Sequence, residues 1–174
     1  FFPCNEFKKI MGVDKCKVIT SISMFYDLED PVSFAKTIEK YLANDGIWVL
    51  EQSYLPTMLE ANSFDTICHE HLEFYSLKQI DWILDRANLK AIGASINEIN
   101  GGSISITVVK KRSNWTGKTS PTVLSQLRQR EQQEMVDSVE IWESFKSRVE
   151  TQKKLLEKII NETKEKGGNV YGLG

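Results

Sequence analysis

The sequence has no long apolar run. Stretches such as residues 18–25 and 46–50 fall far short of the roughly 20 residues that span a bilayer, so no membrane partner is expected. It has no CxxC pair either. Its three cysteines, Cys4, Cys16 and Cys68, are odd in number and widely spaced, which argues against a disulfide framework or a zinc site within these residues. No basic and apolar leader opens the chain, and with thiols expected to stay reduced a cytoplasmic protein is expected. An excess of one charge is missing as well: 22 Lys and Arg stand against 24 Asp and Glu, for a net charge of −2. That balance gives no global attraction for nucleic acid. Internal repeats and low-complexity tracts are absent. Histidine is scarce, with two residues, His69 and His71, one on each side of Glu70.

What is present is enough apolar material for a core, 41% of 174 residues. Residues 17–24 form a nearly continuous apolar run with β-branched members, which predicts a strand buried on both faces. Asp30 and Pro31 suit the N-cap and first turn of a helix over 31–43, where Val32, Phe34, Ala35, Ile38, Tyr41 and Leu42 recur at helical spacing. Asn44-Asp45-Gly46 predicts its end and residues 46–52 a second buried strand. Strand, helix and strand with short connections make a βαβ unit with parallel strands.

Residues 53–75 read as one long loop, of the length that usually carries function. Ser76 with Gln79 predicts a capping box for the next helix, its apolar face drawn from Ile80, Trp82, Ile83, Leu84 and Leu89. Residues 90–99 and 103–110 read as an antiparallel pair joined at Asn100-Gly101-Gly102. A polar stretch over 112–121 leads into a mostly helical tail, with one long amphipathic helix over about 134–166 and a short strand over 169–174. That helix is read as packing or self-association surface. The fold class is thus α/β, a partial Rossmann-like sheet ending in an antiparallel hairpin, then a long helix and the first strand of a second α/β lobe.

Chemistry concentrates in residues 64–76. Imidazole titrates near neutral pH and an adjacent carboxylate can orient and charge-stabilise it, so His71 with Glu70 is the candidate base and partner. The positive end of the helix starting at Ser76 would favour an anion nearby. Two surface histidines with no catalytic role are the plainer alternative. A metal site is weaker still, because His-Glu-His is not HExxH and no third ligand is evident. Ligands bind at the carboxyl ends of parallel strands, which selects Met24, Phe25, Tyr26 and Asp27 after the first strand and residues 51–54, with Tyr54, after the second, with ordinary packing of these aromatics as the alternative. Gly101-Gly102 is most simply a hairpin turn, and Gly172-Leu173-Gly174 resembles the opening of a phosphate-binding turn.

Four segments carry a resemblance: ITSISMFYDLEDP, GIWVLEQSYLPTML, FDTICHEHLEFYSL and NGGSISI. Together they resemble the C-terminal half of the S-adenosylmethionine-dependent C-methyltransferases that act on nucleotide-linked deoxysugars, from about Val13 to Lys111. Residues 166–174 resemble the start of that family's C-terminal lobe. The resemblance implies a zinc-binding N-terminal module and a glycine-rich cofactor loop outside this chain, so that the chain alone is expected to bind S-adenosylmethionine poorly. It divides the chain into the second half of a methyltransferase domain (1–111), a helical connection (112–166) and the opening of a lobe (167–174).

The family's Glu-His pair falls on Glu70 and His71, with His71 as the base that forms an enolate beside a ketone. Ser23, Met24, Phe25 and Tyr26 are implied to meet the cofactor, and Tyr54, His69, Asn100, Gly101 and Gly102 the sugar-nucleotide substrate. Cys68 stands where relatives often have tyrosine. Methyl transfer to oxygen or nitrogen, and a non-catalytic association module, are the alternatives.

Overall fold

The computed structural model describes Lys9, Gly12 and residues 15–119 and 121–172, with Asn100 described in its backbone only. Cys4, Val13, Leu173 and Gly174 lie outside the described residues. The chain divides into two compact units, Phe1–Val136 and Asp137–Gly174.

The first unit is a four-stranded sheet in the order β1-β2-β4-β3. Strand β1 (Cys16–Ile22) runs parallel to β2 (Leu42–Ser53), and the crossover is helix α1 (Pro31–Tyr41). Asp30 caps α1 by accepting from the Ser33 N–H at 2.9 Å, with Pro31 in the first turn. The expected break at 44–46 is absorbed into the strand instead. The register jumps from Cys16↔Leu42 to Val18↔Ile47, a bulge in which residues 43–46 bow out. Gly46 allows it, since a Cβ there would sit 2.8 Å from the Cys16 carbonyl oxygen.

The expected long loop over 53–75 contains helix α2 (Leu55–Ala61) and a 3-10 turn at Phe64–Thr66. Helix α3 (Leu77–Arg86) begins with the predicted capping box, the Ser76 N–H donating to Gln79 Oε1 at 3.0 Å. Strands β3 (Leu89–Asn97) and β4 (Ser103–Lys110) pair antiparallel, and β4 also pairs antiparallel with β2. Helix α4 (Pro121–Glu134) completes the unit.

The core lies between the sheet and α1, α3 and α4. Trp48 and Leu50 of β2, Ile106 and Val108 of β4, Ile38, Ile80, Leu84 and Leu124 are essentially buried. The sheet is covered on that face, so β1 is not buried on both sides as its apolar run suggests: Ile19 and Ser21 point inward, while Val18 and Ile22 are 58% and 53% exposed. Trp82, expected in the apolar face of α3, is 52% exposed and stacked by the Arg86 guanidinium one turn on, 3.4 Å from the ring centroid.

The second unit is helix α5 (Val139–Glu165), capped by the Ser138 hydroxyl accepting from the Ile141 N–H. It starts five residues later than the expected 134, because residues 121–134 form a helix of their own. Residues 168–172 have no regular secondary structure, so the expected strand at 169 is not found among the described residues.

Candidate functional site

Because β1 and β2 are parallel, the segments that follow them emerge at the same end of the sheet. After β1 the chain turns sharply at Ser23, a non-glycine residue at φ 50°, with its N–H held by the Glu51 carbonyl of β2 at 2.8 Å. Such backbone costs about 1–3 kcal/mol and persists only where its surroundings impose it. The turn delivers Phe25 and Tyr26 into the fold in opposite roles. Phe25 is core, packed against Trp48, Tyr75 and Phe34 with ring centroids 5.5–6.0 Å apart, so its side chain is not available to a cofactor. Tyr26 faces the histidine loop. Burial pushes its phenol above the ordinary value, opposed by a hydrogen bond from Ser23.

The Tyr26 carbonyl accepts from the Leu72 and Glu73 N–H groups at 3.0 and 3.2 Å, which fastens the two segments together. The rings of Tyr26 and His71 pack with centroids 4.3 Å apart. His71 Nδ1 lies 2.8 Å from the Thr66 carbonyl oxygen. A carbonyl can only accept, so Nδ1 carries the hydrogen and, in the neutral ring, Nε2 carries the lone pair. Thr66 is itself held by its hydroxyl donating to the Ser63 carbonyl at 2.8 Å. Glu70 is turned elsewhere: it is exposed and its carboxylate stands 3.9 Å from His69 Nε2, with His69 92% exposed. The partner that orients His71 is therefore main chain, where the sequence pointed to Glu70.

Tyr54, expected on the rim, is fully buried, and its hydroxyl donates to Glu131 Oε1 at 2.6 Å. Burial and that carboxylate both push its phenol well above the ordinary value. The same carboxylate accepts the Leu77 N–H at 2.6 Å and the Lys78 N–H at 2.9 Å. Glu131 thus sits at the positive end of α3, 4% exposed and satisfied by three donors. Sequence reasoning missed it, since nothing in RQREQQE separates this Glu from its solvated neighbours. Gln52 is completely buried and neither end of its carboxamide has a hydrogen-bond partner.

Gly101 and Gly102 close the β3–β4 connection with φ of 76° and 122°. Gly102 presses on α2: a Cβ there would lie 2.5 Å from Thr57 Oγ1, which donates to the Tyr54 and Gly102 carbonyls at 2.7 and 3.1 Å. Its close packing is against protein. Among the described residues no group of three His, Cys, Asp or Glu could hold a metal ion, and no helix is long and apolar enough to cross a membrane.

A parallel βαβ unit with turns gathered at one end, followed by an antiparallel hairpin, is the architecture expected for half of a methyltransferase sheet. Residues 5–93 match the family described as "Methyltransferase domain", and the chain belongs to it. Residues 98–174 match the family described as "C-methyltransferase C-terminal domain". One relative is the C-methyltransferase NovU of Streptomyces niveus, 34% identical over 67 residues, which span 38% of this chain and 16% of that protein.

Solved structures to which the chain is similar include the "Complex between the Haloferax volcanii Trm112 methyltransferase activator and the putative methyltransferase" (TM-score 0.48, 14% identity, 60% of this chain and 57% of that one). Another is the plantazolicin methyltransferase BpumL in complex with SAH and a desmethyl analogue (TM-score 0.41, 13% identity, 56% and 53%).

Proposed function

We propose that this chain contributes the substrate-facing half of an S-adenosylmethionine-dependent C-methyltransferase, with His71 Nε2 as the base that removes a proton from carbon beside a ketone. The observation that carries this reading is the 2.8 Å contact from His71 Nδ1 to the Thr66 carbonyl, which leaves Nε2 as the lone-pair nitrogen. The C–H electron pair passes into an enolate, and the Nδ1–H to carbonyl bond supports the imidazolium that forms. Tyr26, packed on the imidazole, restricts its rotation. S-adenosylmethionine, when bound, supplies an electrophilic methyl group.

Of the four residues after β1, Ser23 and Met24 fit a cofactor-side role, since the turn exposes Ser23 and leaves Met24 half-buried, whereas Phe25 is committed to the core and Tyr26 is buried against His71. The nucleotide-linked keto sugar as substrate follows from the sequence resemblance, and the likeness to a C-methyltransferase supports the carbon acceptor. His69 and Glu70, exposed on the same loop, and the Asn100 to Gly102 turn are assigned to the approach of that substrate.

The test uses the whole protein that contains this chain. His71→Gln is expected to lower methyl transfer by about 10²–10⁴-fold and to abolish exchange of the ketone's α-hydrogen with deuterated solvent. Normal exchange in this variant would remove His71 as the base, and absence of exchange in the unmodified enzyme would redirect the reading to an oxygen or nitrogen acceptor.

A further inference from the structure

Forming an enolate beside His71 takes more than a base. The α-hydrogen of a ketone is far less acidic than an imidazolium, so the charge that develops on oxygen has to meet a hydrogen-bond donor already in place. The donors that the sequence pointed to are taken. At the start of α3 the Leu77 and Lys78 N–H groups bind the Glu131 carboxylate, and the Ser76 N–H binds Gln79 Oε1. The hydroxyl of Thr66, the residue whose carbonyl orients His71, donates to the Ser63 carbonyl.

Tyr26 differs from all of these. Its ring packs on the imidazole with centroids 4.3 Å apart. A phenol oxygen stands roughly 2.8 Å from its ring centre, which puts the Tyr26 hydroxyl within about 7 Å of the centre of the His71 ring. A base and a donor that serve one keto group, each at hydrogen-bond distance, stand about 5–7 Å apart. The hydroxyl is also uncommitted. Tyr54 gives its proton to Glu131 and the Tyr75 hydroxyl is closed off, whereas the Tyr26 hydroxyl is not sealed and has no acceptor among the described residues, although the ring is buried. Ser23 donates to its oxygen, and burial holds the phenol above the ordinary value, so the proton stays on at physiological pH. Both residues are fixed by main chain: the Ser23 N–H binds the Glu51 carbonyl, and the Tyr26 carbonyl accepts from the Leu72 and Glu73 N–H groups. A donor held in this way needs no reorganisation when charge develops.

We propose that the Tyr26 hydroxyl is the oxyanion donor of this site, a catalytic residue that meets the ketone oxygen while His71 Nε2 takes the α-hydrogen. The proposal rests on the reading of His71 as the base. In this step the C–H bond breaks, its proton passes to Nε2, its electron pair forms the carbon–carbon double bond and the carbonyl π pair moves onto oxygen. The Tyr26 O–H tightens its hydrogen bond to that oxygen and keeps its proton. Ser23, donating to the phenol, polarises the O–H and strengthens that bond.

The experiment follows exchange of the α-hydrogen with deuterated solvent by the whole protein, with thymidine diphospho- and uridine diphospho-4-keto-6-deoxyglucose as probes. Tyr26→Phe keeps the ring on the imidazole and should fold, which circular dichroism checks. It is expected to slow exchange by about 10²–10³-fold, with KM for the probe and affinity for S-adenosylhomocysteine within about threefold of the unmodified protein. Incorporation of 3,5-difluorotyrosine at position 26, a phenol that ionises nearer neutral pH, is expected to restore exchange at low pH and to add an alkaline limb to its pH profile that the unmodified protein lacks below about pH 9. Exchange in Tyr26→Phe within about threefold of the unmodified rate, an equal loss of S-adenosylhomocysteine affinity, or a fluorinated protein without the new limb overturns the proposal. Exchange lost in His71→Gln and normal in Tyr26→Phe leaves the base and removes the donor, and the reverse pattern leaves the donor and removes the base. No exchange by the unmodified protein with either probe overturns both.

Discussion

Replacing Glu131 should destabilise the first unit far more than its place in a run of charged residues suggests. Its carboxylate accepts three hydrogen bonds, from the Tyr54 hydroxyl and the Leu77 N–H on Oε1 and from the Lys78 N–H on Oε2. Hydrogen bonds to a charged group contribute about 1.5–3 kcal/mol each, and a carboxylate at a helix N-terminus adds about 0.3–2 kcal/mol. These do not add fully, since water can reach some of the freed helix donors. Glu131→Ala is therefore expected to cost about 3–5 kcal/mol, a large part of the 5–15 kcal/mol that holds a domain folded.

Glu131→Gln keeps one oxygen for two donors and turns an amide NH₂ toward the third, so about 1–3 kcal/mol is expected. Tyr54→Phe removes one donor, and a double-mutant cycle with Glu131→Gln should show coupling of about 1 kcal/mol or more. Urea unfolding followed by circular dichroism, with the slope checked for constancy, measures the unmodified protein and the four variants. Solvent-exposed glutamates change stability by less than about 0.5 kcal/mol, and a Glu131→Ala value in that range would refute the argument.

Three tyrosines, Tyr26, Tyr54 and Tyr75, hold their protons more tightly when folded, chiefly because they are buried. Their stabilising effect is complete below the unfolded tyrosine value of about 10 and is lost above it, each steepening the decline by up to about 1.4 kcal/mol per pH unit. A pH series of unfolding curves should show this, with a shallower alkaline limb for Tyr54→Phe. Gly102→Ala should destabilise by about 2 kcal/mol or more, since the residue sits at φ 122° and the new Cβ would lie 2.5 Å from Thr57 Oγ1. A shift in thermal midpoint of under a degree would show that the turn yields easily. Gln52→Leu replaces a buried carboxamide that has no partner, so stability should be unchanged or rise by about 1–3 kcal/mol; a clear loss in urea would mean that the amide makes bonds of its own.

The elements with strong periodicity were legible before the structure: the βαβ unit, the capping box at Ser76 and the antiparallel pair around Gly101-Gly102. Residues 44–46 misled because turn-forming chemistry can be taken up as a bulge when a neighbouring strand tolerates it, which no local pattern announces. Helix α2 was readable in principle, from Pro56 in its first turn and Leu55, Met58 and Leu59 at helical steps, but its seven residues are too few for the pattern to stand out. At the site, the sequence placed His71 and Tyr26 on separate segments that the structure brings into ring contact. Glu70 was the natural partner by adjacency, yet neighbouring side chains on a loop point where the backbone sends them, and His71 turned to the Thr66 carbonyl. Glu131 had no sequence signal because its role comes from what lies opposite it in space.

The hydrogen bond between Tyr54 and Glu131 joins residues 77 apart in the chain. During synthesis Tyr54 and the start of α3 leave the ribosome more than fifty residues before the carboxylate that will hold them. Until α4 is made and docks, the Leu77 and Lys78 amides and the Tyr54 hydroxyl must rely on water, and closing so long a loop is entropically slow. The four strands end by Lys110 and can pair early, but the start of α3 settles only with α4, and a truncation just before residue 131 would leave a complete sheet with Tyr54 and the first turn of α3 unheld.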